Sequence, residues 1–528
     1  MSRSNGSTNH RSITGADFLQ LDRADAPAGG LTDWLAQQLR SAVSDGRLPA
    51  GSRLPASRVL AAELRVSRGV VTEAYQRLIE DGQLAGHGRA GTRVVAAPPP
   101  DVPGQAPAGQ ALAGQALAGQ ALAGSGAAAA ASDGRAGRGS LAAARDLFPS
   151  APGAGAFESL RGAPCRIDLS PGIPDLAAFP RTAWLRAERT ALGAISPASF
   201  NYSDPRGAPV FRAAVANWLA RNRGIMVSPE EVVIVAGVAQ ALTLLSLTLR
   251  RSGLTAIAVE DPGSLGTRQQ LQSWGLDTPP VPVDARGLRV DELRASGAAA
   301  VMLTPAHQFP TGVVLDGGRR RELRDWAGDG GLIIEDDYDA EHRYDRPPVP
   351  ALRSALPGQV CYTGSVSKLL APALRTGWLL VPPGYHEAVV AAKREADLGN
   401  AILPQLVLAE LMASGELERH LRLLRKRHVR RRDSMISAIA AHLPQARVHG
   451  AAAGLHLTLT FDALPPRTGL DVDVAAAALR RGVKVQPLSW HCQRPHQPGL
   501  VLGYAARTPA EISEGIAVIG SVLRRQPG

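Results

Sequence analysis

Apolar residues between residues 31 and 96 recur at helical spacing in three short stretches. The first stretch presents one apolar face, which is formed by Leu31, Trp34, Leu35, Leu39 and Val43. Asp45 and Gly46 are expected to end this helix. Ser57 and Ser67 each stand before a further short amphipathic stretch, where a hydroxyl is suited to cap a helix N-terminus. The pattern predicts three helices, of which the last two are joined by a tight turn.

A short hairpin is predicted after the third helix. Residues 83–85 and 92–95 are strand-like, and the glycine-containing residues 87–91 between them predict the turn. Two short helices followed by such a hairpin are typical of a winged helix-turn-helix. Residues 86–91 also match the GxGxxG pattern of dinucleotide sites. Because a strand follows where that site requires a helix, we interpret these residues as a wing.

From Asp168 onward, strand-like apolar runs alternate with helical stretches. The predicted strands are residues 232–235, 256–259, 300–304, 332–335, 360–363 and 378–381. This alternation predicts a mostly parallel sheet flanked by helices, with ligand-binding groups at the strand ends.

Between these two folded segments the composition changes to alanine, glycine, proline and glutamine. Three tandem copies of Gly-Gln-Ala-Leu-Ala begin at Gly109, Gly114 and Gly119. A segment with so few aromatic and β-branched residues cannot form a core, so residues 97–160 are predicted to be a flexible linker. The expected organisation is a disordered N-terminus over 1–30, a small unit over 31–96, this linker, and a large unit over 161–528.

Composition adds limits rather than a function. The 528 residues carry a formal net charge of +11, which suits an anionic partner but would also arise from arginine spread evenly over the surface. The three cysteines form no CxxC pair, so neither a disulfide framework nor a metal site is expected. No apolar run approaches the roughly 18 residues of a membrane span. We expect a cytoplasmic protein with no membrane association.

Lys368 is a candidate functional residue because lysine occurs at only four positions in the chain, which are Lys368, Lys393, Lys426 and Lys484. Arginine cannot replace lysine where a primary amine must lose its proton and attack an aldehyde. Ser365, Ser367 and Arg375 surround Lys368 in the sequence and are suited to bind a phosphate. An aldehyde cofactor that carries a phosphate is pyridoxal 5'-phosphate, and the motif predicts that it joins Lys368 as a Schiff base.

Three sequence motifs in the small unit resemble the GntR-type DNA-binding domain. They are Arg-Leu-Pro-Ala-Ser-Arg-x-Leu-Ala from residue 53, Val-Ser-Arg-x-x-Val-x-x-Ala-Tyr-x-x-Leu from residue 66, and Gly-Arg-x-Gly-Thr from residue 88. The resemblance implies binding to a double-stranded DNA operator through Arg53, Arg58, Ser67, Arg68, Thr72, Arg89 and Gly91. A recognition helix that offers hydroxyls and N–H groups to phosphate and an arginine to a guanine edge is consistent with this role.

The ordered motifs of the large unit are similar to those of fold-type I aminotransferases, an α/β pyridoxal-phosphate-dependent transferase fold. The two units together resemble a MocR/GabR-type regulator, in which a winged helix-turn-helix is fused to an aminotransferase-like domain. This implies an acidic residue, Asp336 or Asp337, at the pyridine nitrogen, with Asp336 favoured by the family pattern. The cofactor-binding residues implied are Lys368, Asp336, Tyr338, Arg375, Ser365, Ser367, Gly237, Val238, Ala239, Tyr202 and His307.

Three of these assignments carry further expectations. Residues 237–240 resemble the phosphate cup, where backbone N–H groups at a helix N-terminus meet the dianion. Tyr202 matches a tyrosine that reaches the phosphate of the neighbouring subunit, which implies a homodimer. Phe309 stands where aminotransferases commonly carry an asparagine, which leaves His307 and Gln308 as candidates for polar contact.

The sequence departs from the aminotransferase pattern where the substrate carboxylate is clamped. Val501 occupies the position of the usual arginine and cannot form a bidentate pair, so Arg494 in the preceding loop is a candidate replacement. Ser264 stands where tyrosine is common. These departures favour a transcriptional regulator that senses an amino acid, an amine or pyridoxal phosphate itself. The alternative is a working aminotransferase with an accessory DNA-binding domain.

Residues 418–433 form a helix-like stretch rich in arginine. It is either a second DNA-contacting surface or, as we favour, an ordinary solvated helix face.

Overall fold

The computed structural model describes residues 31–44, 51–80, 84–86, 91–94, 144–344, 350–450, 453–462 and 469–525, together with residues 26 and 48. The Gly-Gln-Ala-Leu-Ala repeats and nearly all of the N-terminus predicted to be disordered lie outside these residues. The described chain forms one small unit and one large unit.

The small unit is the predicted winged helix-turn-helix. Its elements are α1 Leu31–Ser44, α2 Ser57–Glu63, α3 Arg68–Glu80, β1 Leu84–Gly86 and β2 Thr92–Val94. Leu39, Leu60, Val71 and Leu78 are fully buried in its core. The Ser67 hydroxyl accepts a hydrogen bond from the Val70 N–H at 3.4 Å, as expected of a cap. The corresponding expectation for Ser57 is wrong, because α2 begins at Ser57 itself.

The wing is held against the helices by a third extended segment. Strands β1 and β2 pair antiparallel, with Leu84 opposite Val94. The N–H of Leu54 donates to the carbonyl of Thr92 at 2.9 Å, and the N–H of Val94 donates to the carbonyl of Ser52 at 2.9 Å. Residues 51–54 therefore connect the wing to the start of α2.

The large unit alternates helices and strands as predicted. Its helices are α4 Ala156–Gly162, α5 Arg181–Ala194, α6 Pro209–Arg223, α7 Val238–Arg251, α8 Leu265–Ser273, α9 Val290–Ala295, α10 Gly317–Gly328, α11 Pro383–Asp397, α12 Ile402–Ala413, α13 Glu416–His442, α14 Leu470–Arg480 and α15 Pro509–Leu523. Its strands are β3 Ile167–Asp168, β4 Val233–Val235, β5 Ala258–Asp261, β6 Pro280–Asp284, β7 Gly287–Leu288, β8 Ala300–Leu303, β9 Leu332–Asp337, β10 Val360–Ser365, β11 Gly377–Leu380, β12 Arg447–His449, β13 His456–Thr460, β14 Val483–Lys484, β15 Gln486–Pro487 and β16 Gly499–Gly503.

The larger sheet has eight strands in the order β4-β11-β10-β9-β8-β5-β6-β7. Strands β10, β9, β8, β5 and β6 run parallel, whereas β11 is antiparallel to both of its neighbours. Ile334 packs on the face covered by α7, and Ile333 packs on the opposite face against α10. Burial on both faces explains why these strands are nearly continuous apolar runs in the sequence.

A second core lies beside this sheet. The antiparallel sheet β12-β13-β16-β15 packs against α13, α14 and α15 to form a smaller subdomain. Leu457 and Leu502 are cross-strand partners in its interior, and both are fully buried. The winged helix-turn-helix and the α/β aminotransferase-like fold expected from the sequence are both confirmed.

The structure differs from the sequence-based expectation at the start of the large unit. Phe148 is fully buried, with its ring centroid 5.6 Å from that of Trp490, whose indole N–H donates to the carbonyl of Pro149 at 3.0 Å. The amide of Gln269 donates to the carbonyl of Pro152 at 2.8 Å. Residues 144–160 are thus packed onto the large unit, and the linker boundary predicted at residue 160 lies too late in the chain.

Helix α13 contains the arginine-rich stretch 418–433. Arg427 and Arg431 both pair with the buried carboxylate of Asp175, at 2.7 Å each. Arg419 pairs with Glu416 at 3.1 Å on the same helix. Such internal pairing is that of a helix packed on its own domain. Among the described helices, none is both long and apolar enough to cross a bilayer.

Replacing Phe148 with alanine should destabilise the large unit by about 3–5 kcal/mol, because it opens a cavity beside Trp490. The check is the urea midpoint of the full-length protein, measured by tryptophan fluorescence. Leu423→Ala, on the exposed face of α13, is the matched control. An unchanged midpoint for Phe148→Ala would show that residues 144–160 are not part of the core.

Candidate functional site

A cavity of about 450 Å³ lies at the carboxyl ends of the parallel strands. Asp336 reaches it from β9, Ser365 from the end of β10, and Lys368 from the turn that follows β10. Leu455 and Gln486 line it from the smaller subdomain. The carboxyl ends of parallel strands are the usual binding edge of an α/β sheet, so the cavity lies where the sequence predicted a ligand.

Lys368 is held in the cavity wall. Its amine donates to the carbonyl of Gly172 at 2.5 Å. Burial lowers the pKa of the Lys368 amine, although the nearby carboxylates of Asp339 and Asp336 oppose this effect. Gly172 has a φ of 79°, and a Cβ there would lie 3.2 Å from the amine, so this close approach favours glycine. The amine loses its proton more readily than a solvated lysine, as a nucleophile requires.

The two neighbouring carboxylates of β9 have different surroundings, because successive strand residues point to opposite faces. Asp337 accepts hydrogen bonds from Arg223 and from the hydroxyl of Tyr362, each at 2.5 Å, on the face away from the cavity. Asp336 lines the cavity. Its Oδ1 atom is buried and has no hydrogen-bond partner within the described chain.

The electrostatics of Asp336 fit a cationic or N–H donor ligand. Burial, together with the charges of Asp337 and Asp339, raises the pKa of Asp336 to about 7, although the charge of Lys368 opposes this effect. A protonated pyridine nitrogen would give Oδ1 its missing donor and favour the ionised carboxylate. Asp336 therefore fits the ring of pyridoxal phosphate, whereas Asp337 is already engaged.

Tyr338 and His307 form a hydrogen-bonded pair beside the cavity. The hydroxyl of Tyr338 donates to the carbonyl of His307 at 3.0 Å and lies 3.1 Å from its Nδ1, which is 2.9 Å from Asp339 Oδ2. Burial raises the pKa of Tyr338 well above its usual range, so the hydroxyl keeps its proton. Tyr338 lines the cavity and His307 lies behind it.

Gln308, the other polar candidate of this loop, is committed to the loop itself. Its amide donates to the carbonyl of Pro262 at 2.8 Å, and its Oε1 accepts from the hydroxyl of Thr311 at 2.6 Å. The ring of Phe309 lines the cavity instead. The cavity wall is thus apolar at the position where aminotransferases commonly carry an asparagine.

Groups suited to a phosphate converge at the start of α7. Gly237 has a φ of 78°, and the first-turn N–H groups of Val238 and Ala239 have no intrahelical acceptor. The Arg375 guanidinium donates to the carbonyl of Ala236 beside them. A Cβ on Gly237 would lie 3.2 Å from this guanidinium, so the close approach requires glycine. Val238, Ala239, Arg375, Ser365 and Ser367, for which the sequence predicts cofactor binding, all line the cavity.

Other candidates lie elsewhere. Tyr202 is 87% exposed and does not line the cavity of its own chain. Arg494 is placed outside the cavity, where its guanidinium donates to the carbonyl of Pro280 at 3.2 Å, so the suggestion that it replaces the clamp is wrong. Ser264 lines the cavity and caps α8, where it accepts from the Thr267 N–H at 3.3 Å.

Some residues that line the cavity were not predicted from the sequence. Phe157 and Arg161 line it from α4, which begins inside the segment predicted to be linker, and Gln486 and His491 line it from the smaller subdomain. The aromatic residues at 148 and 157, within an otherwise alanine- and glycine-rich segment, were the available signal for α4. The cavity position of Gln486 depends on strand register, which has no local sequence signal.

His307, Asp339 and His456 are buried and close enough for one ligand atom of each to lie within 4.8 Å of the others. Their contacts are those of a hydrogen-bonded layer under Tyr338. His456 Nε2 lies 3.1 Å from the carbonyl of Pro310, and burial lowers the pKa of His456 to about 3, so its ring is neutral.

In the small unit, four of the predicted DNA-binding residues lie on one surface. Arg53, Thr72 and Gly91 line a single cleft, and Arg68 beside it donates to the hydroxyl of Ser57 at 3.4 Å. Gly91 has a φ of 87°, and a Cβ there would lie 2.9 Å from the Arg53 Nε atom. Two further residues, Arg58 and Ser67, are exposed, and Arg89 lies outside the described residues.

Comparison with known proteins agrees with both halves of the chain. Residues 31–94 match the bacterial regulatory proteins of the gntR family, and residues 166–519 match aminotransferase class I and II. The chain is similar to the probable rhizopine catabolism regulatory protein MocR of Rhizobium meliloti, with 30% identity covering 96% of each chain. It is also similar to the pyridoxine biosynthesis transcriptional regulator PdxR of Corynebacterium glutamicum, with 30% identity covering 92% of this chain and 95% of that protein.

Among solved structures, kynurenine aminotransferase of Pyrococcus horikoshii is similar over the large unit. The identity is 26% and the TM-score 0.63, with 70% of this chain and 93% of that chain covered. The chain therefore belongs to the MocR-type family of transcriptional regulators, in which a GntR-type winged helix-turn-helix is joined to an aminotransferase class I and II domain.

Proposed function

We propose that this regulator holds pyridoxal phosphate in the cavity of its large unit and uses it to sense a small amine or amino acid. The observation that carries the proposal is the convergence, in one cavity, of the Lys368 amine, the unpartnered Oδ1 atom of Asp336 and the phosphate-binding groups around Arg375. The same chain carries the DNA-binding unit, so occupancy of the cavity and operator binding are properties of one molecule. A cytoplasmic location is consistent with binding to DNA.

Each wall of the cavity has a separate part in holding the cofactor. When bound, pyridoxal phosphate supplies an aldehyde that joins covalently to amines and a ring that withdraws electrons. Lys368 provides the amine, and Asp336 faces the ring nitrogen. Tyr338, kept protonated by burial, would donate to the ring oxygen once its hydroxyl turns from the carbonyl of His307. The N–H groups at the start of α7, together with Arg375 and two serine hydroxyls, would hold the phosphate.

Replacing Lys368 with alanine should abolish the absorbance band of the covalently held cofactor, because no other lysine lines the cavity. The check is the near-ultraviolet and visible spectrum of the purified protein after incubation with pyridoxal phosphate. Lys426→Ala, on the exposed face of α13, is the matched control and should keep the band. A band that persists in Lys368→Ala would rule out the role proposed for this residue.

The proposal includes a homodimer in which Tyr202 reaches the phosphate site of the partner. Tyr202 has no contact with its own cavity, and large apolar side chains on neighbouring surface segments are exposed. Phe200 is 59% exposed, and Leu398, whose neighbour Gly399 approaches Pro205, is 53% exposed. Apolar side chains of this size on one surface are typical of a protein–protein interface.

Replacing Phe200 with aspartate should shift the protein toward monomers, because a charge is costly in the core of an interface. Sedimentation velocity at several protein concentrations measures the shift, and Leu423→Asp on the exposed part of α13 serves as the control. Equal dimer content in Phe200→Asp and the wild type would exclude this surface as the dimer interface.

Arg68 is proposed to contact the bases of the operator from the start of α3. It is exposed and lies beside the cleft that Arg53, Thr72 and Gly91 line. An arginine placed in this way can bind a guanine edge through two hydrogen bonds.

Replacing Arg68 with alanine should weaken operator binding by about 1–3 kcal/mol and relax sequence preference at one base pair. The operator is first selected from a random DNA pool by the full-length protein, and affinities are then measured by fluorescence anisotropy at fixed salt. Arg324→Ala, at an exposed position on α10, should bind as the wild type does. Unaltered affinity and preference in Arg68→Ala would exclude a base contact.

Aminotransferase activity is the second candidate function, because the cavity contains both the lysine and the carboxylate that the reaction uses. The fully buried Val501 counts against it, since a substrate carboxylate finds no arginine there. Turnover of an amino donor and a keto acid, assayed with the purified protein, would decide in favour of this candidate.

A further inference from the structure

Val501, which stands where aminotransferases carry the arginine that binds the substrate carboxylate, has a polar neighbour in Gln486. Val501 lies in β16 and is fully buried, and its cross-strand partner in β15 is Gln486. Side chains of directly opposed residues lie on the same face of a sheet. Val501 offers no polar atom at this position, whereas the neighbouring Gln486 lines the cavity wall.

The hydrogen bonds of Gln486 fix which of its polar atoms face the cavity. The N–H of Leu265 donates to His491 Nδ1 at 3.4 Å, so this nitrogen is an acceptor. Burial lowers the pKa of His491 to about 3, and the neutral ring therefore carries its proton on Nε2. Nε2 donates to Gln486 Oε1 at 3.3 Å. The amide N–H groups of Gln486 are left without an acceptor in the described part of the chain and can bind an anion.

Arg161 supplies a cation to the same cavity from α4. Phe157 and Arg161 are one turn apart on this helix, and both line the cavity. The position of α4 is fixed by the burial of Leu160, by the packing of Phe157 on Trp490, and by the hydrogen bond from Lys484 to the Arg161 carbonyl at 3.3 Å.

The guanidinium of Arg161 is available to a ligand. Among the described residues, no carboxylate pairs with it, whereas Lys368 and Arg375, which also line the cavity, each donate to a backbone carbonyl. It lies near enough to Lys368 for its charge to contribute to lowering the pKa of the lysine amine. A ligand whose amino group lies at Lys368 can therefore place another of its groups beside the Arg161 guanidinium.

We propose that Arg161 and Gln486 form a carboxylate-binding subsite, so that the effector is an amino acid rather than a simple amine or the cofactor alone. The proposal rests on the proposed function, because it requires the cofactor to be held at Lys368. The guanidinium and the amide N–H groups donate to the carboxylate oxygens, while the amino group of the effector lies toward Lys368.

The test compares pairs of ligands that differ only in a carboxylate. The cofactor-loaded wild type and the Arg161→Ala, Gln486→Ala and Arg324→Ala proteins are titrated with the standard L-amino acids and with linear ω-amino acids. Each amino acid is matched by the amine that lacks its carboxylate, and dissociation constants come from changes in cofactor absorbance. Arg324, exposed on α10 and outside the cavity, provides the matched arginine control.

The wild type and Arg324→Ala should bind at least one amino acid more tightly than its matched amine. In Arg161→Ala this preference should fall roughly 10- to 100-fold, as expected for losing a charge-assisted hydrogen bond, with a smaller fall in Gln486→Ala. Because the charge of Arg161 also lowers the pKa of Lys368, amino acid and matched amine are compared within each protein, and the ratio of their affinities should change only in Arg161→Ala and Gln486→Ala. Retention of the cofactor band in each variant shows that the cavity is intact.

Two failures can be told apart. A wild type that never acquires the cofactor band overturns the proposed function and this subsite with it. Normal cofactor loading together with wild-type amino-acid affinity in Arg161→Ala overturns the subsite alone, as does a wild type that binds matched amines as tightly as amino acids.

Discussion

Three consecutive carboxylates end β9, and their different partners organise the site: Glu335 and Asp337 are buried, and Asp336 between them is half-buried. Glu335 accepts hydrogen bonds from the N–H groups of Leu352 and Arg353, each at 3.1 Å. Asp337 is held by Arg223 and Tyr362. Buried carboxylates are costly without such partners. Asp336, between them, is the carboxylate that lines the cavity, and its Oδ1 atom has no hydrogen-bond partner in the described chain. The alternating geometry of a strand thus leaves one carboxylate for a ligand while its neighbours stabilise the fold.

Much of this organisation could be predicted from the sequence. The strands of the parallel sheet were recognisable because burial on both faces makes them apolar throughout. The lysine motif indicated its chemistry because arginine has replaced lysine almost everywhere else in the chain. The three helices of the small unit followed from their spacing, and the described residues confirm them.

The rest depended on information that local sequence lacks. The sequence left Asp336 and Asp337 open, because only the direction of the pleat separates them. Residues 144–160 resembled linker by composition, yet Phe148 and Phe157 both pack on Trp490. The cavity position of Gln486 follows from its register with Val501, which joins residues distant from Lys368 in the sequence.

The proposed binding of the ligand carboxylate by α4, rather than by an arginine in β16, matters for a regulator. An arginine on a central strand would hold a ligand within one rigid sheet, as suits an enzyme. Arg161 lies instead on the short helix near the point where the chain enters the large unit from the direction of the DNA-binding unit. Ligand binding shifts a conformational equilibrium only if the ligand contacts differ between the two states. Because α4 packs in the core of the smaller subdomain, a ligand that lies at Lys368 and places its carboxylate at Arg161 and Gln486 would contact both sides of the cavity, and its affinity would depend on the separation of those two sides.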